Sequence, residues 1–228
     1  MLNVSKLRKD FPALSVKESL IYMDSACMAL KPVQVIDKLN EYYSSYPGCA
    51  GRSSHQFSEK VEVGVLESRE AIRKLIGGAD SNEIVFTKNT TEGINLVANS
   101  FGLKKGDTVV LSDKEHNSNL IPWLKLAQSG VIVKQVKSAK DNTFDLAAFE
   151  KIMDDSVKLV SVVGTSNLDG VTNPIREISS VVHKHGAALH VDGAQLVPGH
   201  PVDVRKLDVD FLTYSGHKAL GPTGTGVL

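Results

Sequence analysis

An α/β fold, with a mostly parallel seven-stranded sheet and helices on both faces, is what the sequence predicts. Three observations carry it. Seven short apolar runs rich in β-branched residues recur from residue 84 onward, and they are continuous rather than alternating, as in strands buried on both faces. Several are separated by stretches with helical apolar spacing. Strands alternating with helices are the pattern of a layered α/β domain.

In chain order, residues 1–58 read as irregular, punctuated by Pro12, Pro32 and Pro47, with an aromatic stretch at Tyr42-Tyr43-Ser44-Ser45-Tyr46. A helix is expected from near Glu59. Val61, Val65, Ile72, Leu75 and Ile76 share its stripe, Gly64 weakens it and Gly77-Gly78 ends it. The strand runs are Ile84–Phe86, Thr108–Leu111, Val131–Val133, Leu159–Val163, Ala187–Val191, Phe211–Thr213 and one beginning at Gly226-Val227-Leu228. The clearest intervening helix opens with Asn173 as N-cap and Pro174 at its first position. It carries Ile175, Ile178 and Val182 on one side and stops at Gly186. The expected division is 1–58, an N-terminal segment and interface loop, and 59–228, the domain that ends in the last strand of the sheet.

Composition narrows the function. The 228 residues carry 26 basic and 26 acidic side chains, so the chain lacks the basic excess of a nucleic-acid or anionic-membrane binder. Hydrophobic residues at 42% and charged residues at 23% are ordinary for a folded domain, and folding at this length removes roughly 70% of the unfolded chain's surface from water. No apolar run reaches membrane-spanning length, and charges interrupt the N-terminus before a signal-peptide core forms. Cys27 and Cys49 are too few for a disulfide scaffold and lack zinc spacing; both are read as structural, in a reducing, cytoplasmic setting. No metal site is expected. His183 and His185 are two apart on a helix and share no face, and His190 lies on a strand. The glycine-rich Gly221–Gly226 stretch has neither dinucleotide nor Walker spacing.

Ligands of open α/β sheets sit beyond the carboxyl ends of the strands, so the residues past each run are the site candidates. After Phe86, the polar turn into Thr90-Thr91 opens a helix and suits an anion such as phosphate, or simply caps that helix. After Leu111 comes His116, suited to stacking on a ring or to acid–base work, though many loop histidines do neither. After Val163 comes Asn167 in a glycine-flanked turn. After Val191 comes Asp192, an acid costly to bury unless a ligand's protonated nitrogen or a nearby arginine meets it. After Thr213 comes Ser215-Gly216-His217-Lys218, placing a lysine among apolar and glycine residues where it can form a Schiff base. Each signal is weak alone. Together they form the set that pyridoxal 5′-phosphate (PLP) needs: a carbonyl-trapping lysine, an anion for the pyridinium and a phosphate cradle.

The strings TTEGINLVA, EHNSNLIPW, SNLDG, HVDGAQ and TYSGHKALGPTGTGVL resemble the aminotransferase class V group of fold-type I PLP enzymes. Within it they look most like the cysteine desulfurase and selenocysteine lyase branch. KLRKDFPAL and GRSSHQFS fit that branch too, so the resemblance spans the whole chain. It implies a PLP-dependent transferase-like large domain. Lys218 would carry the cofactor and shuttle protons at the substrate's α-carbon and the cofactor's C4′. Asp192 would hold the pyridinium proton, Gln195 the ring's 3-oxygen, and His116 would stack on the ring. Thr91, Ser215 and His217, with Thr90 beside them, would hold the phosphate, and Asn167 would lie near substrate and ring oxygen. Arg52 and His55 would approach the partner subunit's site in a homodimer. The implied reaction removes sulfur or selenium from L-cysteine or L-selenocysteine to leave alanine, with a sulfur-acceptor protein as a further partner. Alternatives are an aminotransferase, an epimerase, a kynureninase-like lyase, or a catalytically silent PLP-binding fragment.

The resemblance further implies a last strand running antiparallel between the first and sixth. It also implies relatives of roughly 400 residues, whose small C-terminal domain, substrate-gripping arginine and nucleophilic cysteine are absent from this chain. Exposed apolar surface, and with it oligomerisation or a second polypeptide, is expected to follow. Two departures bear on the substrate side. Gly164 stands where relatives often carry histidine, and Asp169 replaces a usually apolar residue.

Overall fold

The computed structural model describes residues 3–16 and 20–228. The helices are α1 (Val4–Arg8), α2 (Val33–Ser45), α3 (Gln56–Ile76), α4 (Thr90–Ser100), α5 (Asn117–Ala127), α6 (Leu146–Ile152), α7 (Ile175–Lys184), α8 (Leu196–Gly199) and α9 (Val204–Leu207). The strands are β1 (Phe86–Thr87), β2 (Thr108–Ser112), β3 (Ile132–Val136), β4 (Val157–Val163), β5 (Ala188–Asp192), β6 (Phe211–Ser215) and β7 (Gly226–Val227). They form a seven-stranded sheet in the order β1-β7-β6-β5-β4-β2-β3. The pairs among β2 to β6 are parallel, and β7 runs antiparallel between β1 and β6. Both the fold class and the placement of the last strand match the sequence-based expectation.

Strand alternation sorts the core into two layers. Val110, Val160, Val162, Leu189, Val191, Leu212 and Tyr214 pack with α6 and α7 residues such as Phe149, Ile175, Ile178 and Val182. Val109, Leu111 and Leu159 face the other way, onto Ile94, Val97 and Ala98 of α4 and Trp123 of α5. Both faces are covered, which is why these strands read as continuous apolar runs.

Several expectations need correction. Residues 1–58 are not irregular throughout: α1 and the 13-residue α2 lie there, and α3 starts at Gln56 rather than near Glu59. The prolines that suggested loops sit at helix edges, with Pro32 as the α2 N-cap. Leu75 is not on the buried stripe of α3 but 60% exposed, whereas Ile76 is buried. Asn173 does not cap α7: Pro174 holds that position, and the Asn173 amide donates to the Val163 carbonyl at the end of β4 (2.8 Å). Cys27 and Cys49 are exposed free thiols, so neither packs into the core.

One close approach ties the sheet to the site. A Cβ on Gly226 would lie 2.6–2.7 Å from the backbone of Asn89, the N-cap of α4. β7 therefore presses directly on the turn that opens α4. Gly226→Ala is expected to destabilise the fold by about 1–3 kcal/mol through this clash, read as a lowered midpoint in urea unfolding.

Candidate active site

The carboxyl ends of β2, β4, β5 and β6 share one edge of the sheet, and the N-terminus of α4 meets them there. A cavity of about 190 Å³ opens at this edge. Its lining includes all nine residues proposed from sequence to hold the cofactor: Thr90 and Thr91, His116, Asn167, Asp192 and Gln195, and Ser215, His217 and Lys218. They come from five separate stretches of chain, each at or just past the carboxyl end of a strand. Arg52 and His55 are not among the lining residues. Both are exposed, and the His55 ring accepts from the Ser58 N–H as the N-cap of α3.

At the α4 end, Asn89 caps the helix by accepting from Glu92 N–H (2.8 Å). The Ser215 hydroxyl lies 2.8 Å from Thr90 N and 2.7 Å from Thr90 Oγ1, binding the lysine loop to the start of the helix. Thr91 Oγ1 donates to Ser118 Oγ (2.8 Å), and Ser118 Oγ lies 3.0 Å from His116 Nδ1. His116 is also the N-cap of α5, its Nδ1 accepting from Ser118 N–H (3.1 Å). That fixes the ring's orientation and leaves Nε2 outside the cap. Ser118, which no sequence motif singled out, thus joins the phosphate-type turn to the ring-stacking candidate.

Asp192 is 2% exposed. Its hydrogen bond is accepted at Oδ1 from Ala194 N–H (2.9 Å), and no donor among the described residues reaches Oδ2. Burial raises its pKa, partly offset by the charges of Lys218 and His116. No arginine among the described residues meets it, so the structural alternative considered from sequence does not apply. A buried acid with a spare oxygen facing a cavity fits a ligand's protonated ring nitrogen. The chemistry of the remaining donors fits a phosphate at the other end: two threonine hydroxyls, a serine, and the backbone at the start of an 11-residue helix. The residues present therefore suit PLP.

The N-terminal segment closes over this edge. Gln195 Nε2 donates to Ala26 O (2.7 Å), Ala29 N–H donates to His217 O (3.1 Å), and Lys31 Nζ donates to both Ala29 O (2.6 Å) and His217 O (2.8 Å). Gln195 keeps a second amide N–H for a ligand oxygen. Lys31, whose pKa burial lowers, clamps the carbonyl next to Lys218. Sequence reading missed it because a lysine before a proline carries no motif of its own.

Both departures on the substrate side have a structural setting. A Cβ on Gly164 would lie 2.8 Å from Leu196 Cδ2, so Leu196 fills the space a larger residue would use. Asp169 does not present an unpaired charge: Lys114 Nζ meets Asp169 Oδ2 at 2.5 Å and holds its pKa down.

Glu115, beside His116, was also missed. Its carboxylate accepts from Ser112 Oγ, from Val163 N–H (3.0 Å) and from Asn119 Nδ2 (2.6 Å). Burial pushes its pKa up to about 7 against these hydrogen bonds, with the charge of Asp192 adding to the rise. Because folding raises this value, the stability tied to Glu115 is fully present below the unfolded carboxyl pKa of about 4.3. It is lost as pH climbs through the folded value, about 7. His190, fully buried and pushed down to about 3, acts oppositely: its contribution is present above about pH 6.5 and is lost as pH falls. Glu115→Gln removes only the first effect. Relative to the parent, the variant is expected to gain on the order of 3 kcal/mol between pH 4 and pH 8, measured by urea unfolding across that range.

Comparison with known proteins places this geometry. A family model described as aminotransferase class-V matches residues 21–228. A probable cysteine desulfurase of Halalkalibacterium halodurans is 39% identical over 234 residues, covering 100% of this chain and 58% of that protein. A cysteine desulfurase of Escherichia coli strain K12 is 40% identical over 235 residues, with the same coverage of each, 100% and 58%. The apo structure of a cysteine desulfurase from Thermococcus onnurineus NA1 superposes with a TM-score of 0.93 at 37% identity, covering 100% of this chain and 56% of that one. The chain thus spans under three fifths of the length of these relatives. It belongs to the aminotransferase class-V family, a family of PLP-dependent enzymes.

Proposed function

We propose that the chain is the cofactor-bearing part of a PLP-dependent cysteine desulfurase or selenocysteine lyase, which takes sulfur or selenium from L-cysteine or L-selenocysteine and leaves alanine. The observation that carries this reading is the convergence of all nine candidate residues on one cavity, in a chain aligned end to end with cysteine desulfurases.

When bound, PLP supplies an electron sink for negative charge developing at a substrate's α-carbon. The protein's own residues do the rest. The Lys218 amine would hold the cofactor by its carbonyl carbon and would serve as the base that moves the proton at a substrate's α-carbon. Asp192 holds the ring-nitrogen proton, and its burial strengthens that attraction by excluding water. His116, oriented by its capping bond to Ser118, covers the ring face. Thr90, Thr91, Ser215 and His217 hold the phosphate, Gln195 the 3-oxygen, and Asn167, exposed at the mouth, reaches the substrate side.

Residues 1–58 act in this reading as an N-terminal segment and interface loop, and 59–228 as the PLP-binding large domain. Arg52 and His55 approach the partner's site in a homodimer, and a sulfur-acceptor protein takes the product sulfur. Among the described residues no helix is long and apolar enough to cross a membrane, in keeping with a cytoplasmic enzyme.

The test is to add PLP and then L-cysteine or L-selenocysteine with an excess of a dithiol, which supplies the two electrons that release sulfur or selenium as sulfide or selenide. Release of sulfide or selenide with alanine supports this reading. Conversion of the cofactor to its amine form with a keto acid indicates an aminotransferase. PLP binding with no turnover indicates a catalytically silent PLP-binding module.

A further inference from the structure

Beneath the cavity, the core layer facing α4 and α5 is interrupted by polar side chains. Ser161 of β4, His190 of β5 and Thr213 of β6 all point into it, as does Asn119 of α5, and each is 0% exposed. Ser161 and His190 sit opposite each other in the β4–β5 register, and Thr213 lies opposite Asp192. Four polar side chains in an apolar layer destabilise a fold unless every donor and acceptor is matched.

They are matched, and the matching has a direction. The Trp123 indole can only donate, and it donates to Asn119 Oδ1 (3.1 Å). Asn119 Nδ2 therefore faces Glu115 Oε2 (2.6 Å). The same Oδ1 takes the single proton of the Ser161 hydroxyl (2.6 Å). With that proton committed, Ser161 Oγ can only accept from His190 Nδ1–H (2.7 Å). The neutral imidazole then presents a bare Nε2 to the Thr213 hydroxyl (3.0 Å). Every proton in the series Thr213, His190, Ser161, Asn119 points toward Glu115.

We propose that Glu115 is a positioning residue for the cofactor pocket, the anionic end of a one-way hydrogen-bond chain that fixes the His190 tautomer and aligns the strand ends carrying Asn167, Asp192 and Lys218. The alignment is direct on one side: Glu115 accepts from Val163 N–H, and Val163 pairs with Asp192. The charged and titratable groups around Glu115 are His116 and Lys114 on its own loop, Asp192 and neutral His190 from β5, and Lys218 beyond Asp192. Protonation of Glu115 removes the anion that terminates the chain, so its titration is felt at His190, a ring that itself stays neutral down to about pH 3.

This inference rests on the PLP reading only for its effect on cofactor affinity. Its first test needs no cofactor. In ¹⁵N-histidine NMR of the chain at pH 8, His190 is expected as the Nδ1–H tautomer, and its ring signals are expected to shift once between pH 6 and 8. The opposite tautomer overturns the proposal. In Glu115→Gln, and in Ser161→Ala, which cuts the chain between Glu115 and His190, that pH-dependent shift is expected to vanish. Its persistence in Glu115→Gln assigns it to a group other than Glu115 and overturns the proposal.

The second test is PLP titration. Glu115→Gln is expected to bind PLP at least 10-fold more weakly while borohydride still traps the cofactor on Lys218. Unchanged affinity in a variant whose parent binds PLP overturns the positioning role. A parent that binds no PLP instead defeats the PLP reading and leaves the NMR result to judge the chain alone.

Discussion

Asp192→Asn is expected to raise the stability of the cofactor-free chain and to weaken PLP binding. Without a ligand, the carboxylate is buried with one oxygen that no donor among the described residues reaches, and burial raises its pKa. Stability tied to such a group is present below the unfolded carboxyl pKa of about 3.9 and is lost as pH rises through the folded value. At pH 8 the neutral amide avoids that loss. With PLP present the sign reverses, because the variant cannot pair with the ring-nitrogen proton. Breaking a buried charge pair costs about 3–5 kcal/mol, so affinity is expected to fall roughly 10²–10⁴-fold. Melting without PLP and a PLP titration read the two effects. Unchanged affinity contradicts the assigned role of Asp192.

Lys218→Ala is expected to abolish covalent attachment altogether. The phosphate turn, Asp192 and His116 are untouched, so PLP still binds, but as the free aldehyde, and borohydride leaves no pyridoxyl group covalently on the protein. Turnover falls by at least 10²–10⁴-fold, the range for removing a positioned acid–base group. A pyridoxyl group that stays covalently attached to this variant after borohydride contradicts the assignment.

The strands and the residues past them were legible because the chemistry is local. Asp192 and Lys218 each follow a buried apolar run within a few positions, where a polar side chain needs a reason. α2 was hidden because residues 33–45 are mostly exposed, with Ile36, Leu39 and Tyr43 all facing solvent, so no buried stripe marks it. Ser118, Lys31 and Glu115 were hidden for a different reason: the contact that ties each of them to the site is made with a residue distant in sequence. Lys31 meets His217 across 186 positions, and Glu115 meets Val163 across 48. Asn173 illustrates a local rule overridden. Its residue type and the following proline suggested a cap, but the Val163 carbonyl claimed the side chain.

The polar seam under the cavity left a faint trace in the sequence. His190 and Ser161 interrupt the buried apolar stretches of β5 and β4, and a polar residue at such a position must find a partner. Which partner it finds, and in which direction the protons point, follows only from the three-dimensional arrangement around Trp123 and Asn119.

The most direct measurement is to incubate the chain with PLP, reduce with borohydride, digest and map the modified lysine by mass spectrometry. The account predicts a single pyridoxyl group on Lys218. Labelling of another lysine instead, or none at all in a folded sample, would contradict it.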